Sequence, residues 1–149
     1  MLNKTENGRR GLTLTLVVLI ALFSLGCAGE GSDLGENGGG LESTLSSIQE
    51  NIFSPICAQP GCHRGPTAPE GLGLDSASES FDNLVSVPSR QQPVLFLVDP
   101  GIPDDSYMVW KIEGRAAIDG GQMPLNQPPL FDDEIEAIRQ WILDGALTG

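Results

Sequence analysis

No stretch constrains this chain more than Cys57-Ala58-Gln59-Pro60-Gly61-Cys62-His63. Two thiols followed at once by an imidazole is the arrangement that fixes a c-type haem. The thiols become thioethers on the haem vinyl groups, and the adjoining histidine goes to the iron. The usual spacing leaves two residues between the cysteines, and here there are four. Pro60-Gly61 is a turn pair that can fold the extra residues outward. His63 is the only histidine. The proximal ligand is therefore this residue or not a histidine at all, and bis-histidine ligation is excluded by counting.

The chain opens with Lys4, Arg9 and Arg10, then an apolar run from Leu12 to Leu25. The run is short for a membrane span and is followed closely by glycine and acid. It ends in Leu22-Phe23-Ser24-Leu25-Gly26-Cys27, which resembles a bacterial lipoprotein signal, although Ser24 stands where an aliphatic residue is usual. The pattern predicts a signal peptide over 1–26 and a lipidated Cys27 as the mature N-terminus. An ordinary secretory signal or an uncleaved anchor is the plainer alternative. Ala28 is not the aspartate that tends to retain a lipoprotein in the inner membrane. The expected location is the cell envelope, as a periplasmic or outer-membrane lipoprotein. With Cys27 lipidated and Cys57 and Cys62 committed to haem, none of the three cysteines is left over, in keeping with export.

Charge points the same way. Residues 1–27 hold three of the eight basic and one of the twenty acidic side chains, which leaves five against nineteen, a net −14, on the remainder. Such a surface argues against nucleic acid and against direct binding to anionic lipid. It suits a partner with a basic docking face, or simply solubility. Residues 27–40 are glycine-rich and acidic and read as a flexible tether, which leaves 41–149 as the folded domain.

Leu41, Leu45, Ile48 and Ile52 recur at helical spacing and predict a first helix over 41–54, halted by Pro55. Residues 64–75 read as loop, with four glycines or prolines among the first eight. A short helix is expected over 77–86, presenting Phe81, Leu84 and Val85. Val94–Val98 reads as a short extended piece ending at Asp99-Pro100-Gly101. A third helix should begin after Pro103, capped by Asp104 or Asp105, and end at Gly114. The last helix has Asp132, Asp133 and Glu134 at its positive end, an apolar face of Ile135, Ile138, Trp141 and Ile142, and Gly145 as its stop. The class is all-α with long loops. Eight aromatics in the whole chain make a modest core, and a haem would supply the apolar body around which so small a domain can pack.

An iron held by His63 needs a sixth ligand or an open face. Met108 lies among Tyr107, Val109 and Trp110 in the third helix, where methionine is usually core filler. Met123 lies in Gly120-Gly121-Gln122-Met123-Pro124, a loop that no hydrophobic pattern claims. The glycines allow close backbone approach, and Pro124 restricts the residue before it. Met123 is the expected axial thioether. A thioether beside a histidine favours ferrous iron, which suits an electron carrier.

These residues resemble the monohaem class I cytochromes c, and more closely a bacterial group of exported cytochrome c-like domains with four residues between the haem cysteines. The resemblance covers roughly 45–147. It is carried by Phe53 before Cys57, by Cys57, Cys62 and His63, by Met123-Pro124, and by Ile138 and Trp141 in the C-terminal helix. It implies a small helical domain wrapped around one covalent haem c. Its N- and C-terminal helices would cross so that Phe53 meets Ile138 and Trp141. Gln49 stands where the family often has a small residue. The resemblance also implies basic or hydrogen-bonding partners for the haem propionates. Arg64, Arg90, Lys111, Arg115 and Trp110 are the candidates; Arg64 is the first choice because it follows His63 directly, with a solvated surface arginine as the plainer alternative.

The expected function is a membrane-tethered c-type cytochrome that carries single electrons to a redox protein partner and is not itself an enzyme. Without ligation by Met123, the same domain would be a five-coordinate haem sensor or peroxidase. Without haem, Cys57 and Cys62 would close a disulfide in an exported binding or scaffold domain, or join His63 around zinc with no obvious fourth ligand.

Overall fold

The computed structural model describes residues 41–149. Residues 1–26 and 27–40, read above as signal peptide and tether, and Cys27, read as the lipidation site, lie outside the described residues. The first turn is set by Thr44, whose extended backbone and Oγ1, accepting from Ser47 N at 3.3 Å, cap α1 (Leu45–Ile48). Residues 41–44 stay outside the helix, where the periodicity had included them. The expected stop at Pro55 also gives way. Helical winding continues through a π-helical stretch, Gln49–Cys57, with Pro55 inside it. Proline breaks an α-helix because it lacks an N–H and crowds the carbonyl one turn back. A wider turn relieves that crowding. Ala58 N closes the stretch on Phe53 O at 2.6 Å, and the Gln59 amide donates to the carbonyls of Ser54 and Pro55. Cys57 thus sits on the last turn of a helix instead of in a loop.

Pro60-Gly61 makes the expected turn: Gly61 has φ +82°, and Cys62 N donates to Gln59 O at 2.9 Å. A loop containing a 3₁₀ turn (Pro69–Gly71) leads to α2 (Ala77–Leu84), where Ser76 Oγ accepts from Glu79 N. Helix α2 ends two residues short of the expected boundary. Val85 is extended there and makes a single parallel bridge to Val98. The Val94–Val98 run is not one buried strand. Val94 is 90% exposed and Val98 fully buried, and the bridges in this region are isolated.

Pro103–Asp105 forms a second 3₁₀ turn, and α3 (Tyr107–Glu113) follows. Neither Asp104 nor Asp105 caps α3. The Asp104 carboxylate is held instead by Arg115 at 3.0 Å and Arg139 at 2.8 Å. Gly114, at φ +70°, ends α3 as read from the sequence. Helix α4 (Asp132–Leu143) begins at its acidic trio, with Phe131 N donating to Glu134 Oε2 at 2.8 Å.

Helix α4 packs on both α1 and α3. Phe53, Ile138 and Trp141 all belong to the one buried cluster that these helices enclose. The described residues contain four α-helices and no strand, so the class is all-α. None of these helices is long and apolar enough to cross a membrane.

Candidate functional site

The helices enclose a cavity of about 420 Å³, within the range of about 300–1,000 Å³ usual for cofactor-sized ligands. The wall is drawn from the π-helical stretch that continues the first helix, from α2, α3 and α4, and from the loops between them. Ile52, Phe53 and Ile56 come from the first helix, Leu72 and Leu74 from the following loop, and Leu84 from α2. Helix α3 adds Met108 and Ile112, α4 adds Ile138, and the loop between them adds Met123 and Leu130. Cys57, Cys62 and His63 line the same cavity. The four residues singled out for haem attachment and ligation, far apart as 57 and 123 are in sequence, are therefore brought to one apolar chamber.

Both cysteines are free thiols and partly buried. The Cys57 thiol is pushed up to about 12, mainly by burial, with the charges of Glu134 and Cys62 adding to the effect. It is a neutral, protonated group at physiological pH. The backbone ties His63 to its neighbours: His63 N donates to Cys57 O at 3.1 Å, and His63 O accepts from Leu74 N at 2.9 Å. Its ring Nδ1 lies 3.0 Å from Leu72 O. A carbonyl can only accept, so Nδ1 carries a proton, and in the neutral ring the lone pair is then on Nε2. That is the arrangement by which a protein orients a metal-ligating histidine and raises its basicity. Among the described residues no three His, Cys, Asp or Glu side chains converge on a metal-sized point, so Cys57, Cys62 and His63 do not form a zinc site as they stand.

Met123 is presented by a loop anchored to α3. Met123 N donates to Lys111 O at 2.8 Å, and Gln122 Nε2 donates to Ile112 O at 2.7 Å. Met108, read as core filler, packs against the core and also lines the cavity.

The five residues considered for propionates separate. Arg90 and Lys111 line the cavity. Arg90 is exposed, with its guanidinium over Gly71, where a Cβ would meet Nη2 at 3.4 Å. Lys111 is buried, and its Nζ donates to Asp119 O at 2.7 Å. Arg64 is outside the cavity wall and pairs with Asp75 at 3.6 Å. Arg115 is committed to Glu113 and Asp104 and lies over the Trp110 ring, and Trp110 Nε1 donates to Asp104 O.

Gln49 is the residue whose role sequence reasoning missed. It is buried, donates to Leu74 O at 2.9 Å and Ser54 Oγ at 3.0 Å, and accepts from Ser80 Oγ at 2.6 Å. It joins the first helix, the loop behind His63 and α2. The available signal was a polar residue one turn after Leu45 on an otherwise apolar face. No protein-family model, curated protein or solved structure matches the chain.

Proposed function

We propose that the domain is a c-type cytochrome that carries single electrons and is not itself an enzyme. The observation that carries this reading is that Cys57, Cys62, His63 and Met123 all line one apolar cavity. Each free thiol would add its S–H across a vinyl double bond, sulfur to one carbon and hydrogen to the next, with no oxidant required. His63 Nε2 and the Met123 sulfur would be the groups that hold the iron. The haem so held would supply a reversible one-electron iron couple, biased towards ferrous iron by the thioether. Phe53, Leu84, Ile112 and Ile138 would give the group apolar walls, and Arg90 would offer a cationic group to the propionates. The lipidated Cys27 would tether the domain in the cell envelope. Its acidic surface would meet a redox partner with a basic docking face.

The chain should be expressed in a host with haem-attachment machinery, denatured, extracted with acid, and examined as the pyridine haemochrome. A covalent c-type spectrum is expected, lost on substitution of both Cys57 and Cys62. A colourless protein with no free thiol would instead identify a disulfide-stapled domain and end the electron-transfer reading.

A further inference from the structure

The loop that carries Met123 is held to α3 by more than the contact at Met123 itself. The last turn of any helix leaves carbonyls without partners in the helix. Here the carbonyls of Lys111 and Ile112 are taken by Met123 N and by the Gln122 side chain, at 2.8 and 2.7 Å. Two side chains of α3 reach back and seize the same loop at Asp119. Lys111 Nζ donates to Asp119 O at 2.7 Å, and the Tyr107 hydroxyl accepts from Asp119 N at 3.0 Å. That hydroxyl donates in turn to Gln91 Oε1 at 3.1 Å, and the Gln92 amide lies 3.4 Å from Asp119 Oδ2. Lys111 and Tyr107 are both buried and both line the cavity. Gly120, next to the clamped residue, has φ +72°, a backbone region that favours glycine. The chain therefore turns sharply between the clamp and Met123.

We infer that Lys111 and Tyr107 are positioning residues for the axial methionine: by gripping Asp119 from α3 they hold the Met123 loop closed over the cavity. The inference rests on the haem reading above and assigns these two side chains a task within it. They act through the loop backbone, and the Lys111 carbonyl that accepts from Met123 N survives any substitution of its side chain.

Imidazole is the probe, since it takes an axial site only when the methionine leaves. For the ferric holoprotein, Lys111→Leu should tighten apparent imidazole binding roughly tenfold, because a lost charge-assisted hydrogen bond makes loop opening easier by that factor. The methionine–iron absorption band should weaken in parallel. Lys111→Arg, which keeps a cationic donor, should stay near wild type. In a Met123→Ala background, where no methionine remains to displace, Lys111→Leu should change imidazole affinity by less than about twofold. Equal tightening in both backgrounds, or none in either, overturns the inference. Tyr107→Phe, which removes one hydroxyl and keeps the ring, repeats the test should Lys111→Leu fail to fold. A wild-type chain with no covalent haem in the pyridine haemochrome assay overturns the haem reading and the inference together. A haem-loaded chain whose imidazole affinity ignores both substitutions overturns the inference alone.

Discussion

Gln49 occupies a position where the first helix turns its apolar side inward, between Leu45 and Phe53. A buried amide is tolerable only with its hydrogen bonds made, and this one has three. Gln49→Leu would keep the volume and leave Leu74 O and the Ser80 hydroxyl buried without partners. The expected loss is about 2–4 kcal/mol, from two such groups, read as a lower urea midpoint. Adding Ser80→Ala should recover part of it, because an absent hydroxyl needs no acceptor. From the sequence, Gln49 registered only as an awkward residue at a helix crossing. Its partners come from residues 5, 25 and 31 positions away, and pairing at such separations is not written in local periodicity. His63 is the opposite case. Its adjacency to Cys62 marks it directly, while the carbonyl that sets its tautomer, Leu72 O, emerges only from the fold.

At the scale of elements, the ends of α3 and α4 are joined by charge. Arg139 bridges Glu113 at 2.9 Å and Asp104 at 2.8 Å, and Arg115 bridges the same two carboxylates. The hydrogen bond from Arg139, followed by that from Arg115, holds the Asp104 carboxyl below its ordinary value of 3.8. A depressed carboxylate contributes stability above its unfolded value and loses it as pH falls through the lower folded one. The difference in urea midpoint between wild type and Asp104→Asn should therefore be constant above pH 3.8 and vanish progressively below it. Because Asp104 is exposed, the difference should be small and should shrink with added salt. The sequence placed Asp104 at a helix start and read it as a cap. The 3₁₀ turn at Pro103–Asp105 moves it out of register with α3 and within reach of the two arginines. Pro55 was misread for a similar reason. A rule written for α-helices does not anticipate the wider winding of Gln49–Cys57.

For the whole molecule, the chamber of about 420 Å³ is mainly apolar wall that folding of the chain alone leaves without a packing partner. An apolar cofactor would cover that wall and add hydrophobic stabilisation to the fold. Filling the cavity and folding are therefore coupled under the cytochrome reading. A Cys57→Ala/Cys62→Ala chain made without haem should show a broad, low-temperature melt and bind an apolar dye. The haem-loaded protein should melt cooperatively and bind none. A sharp, unchanged melt of the haem-free double variant would argue that the cavity needs no occupant.

The sequence by itself determined the helical class, the last helix with its acidic start and glycine stop, and the four residues from which a haem site would be built. These features are local. Periodicity, end signals and the adjacency of two thiols and an imidazole act within a few residues. Only the tertiary structure decided that Met123 shares a chamber with Cys57, Cys62 and His63, that Arg90 and Lys111 line it while Arg64 and Trp110 do not, and that Gln49 and Asp119 tie its walls together. Those outcomes depend on which surfaces pack when α1, α3 and α4 close on one another. Packing of that kind is settled by burial and by hydrogen bonds between distant residues.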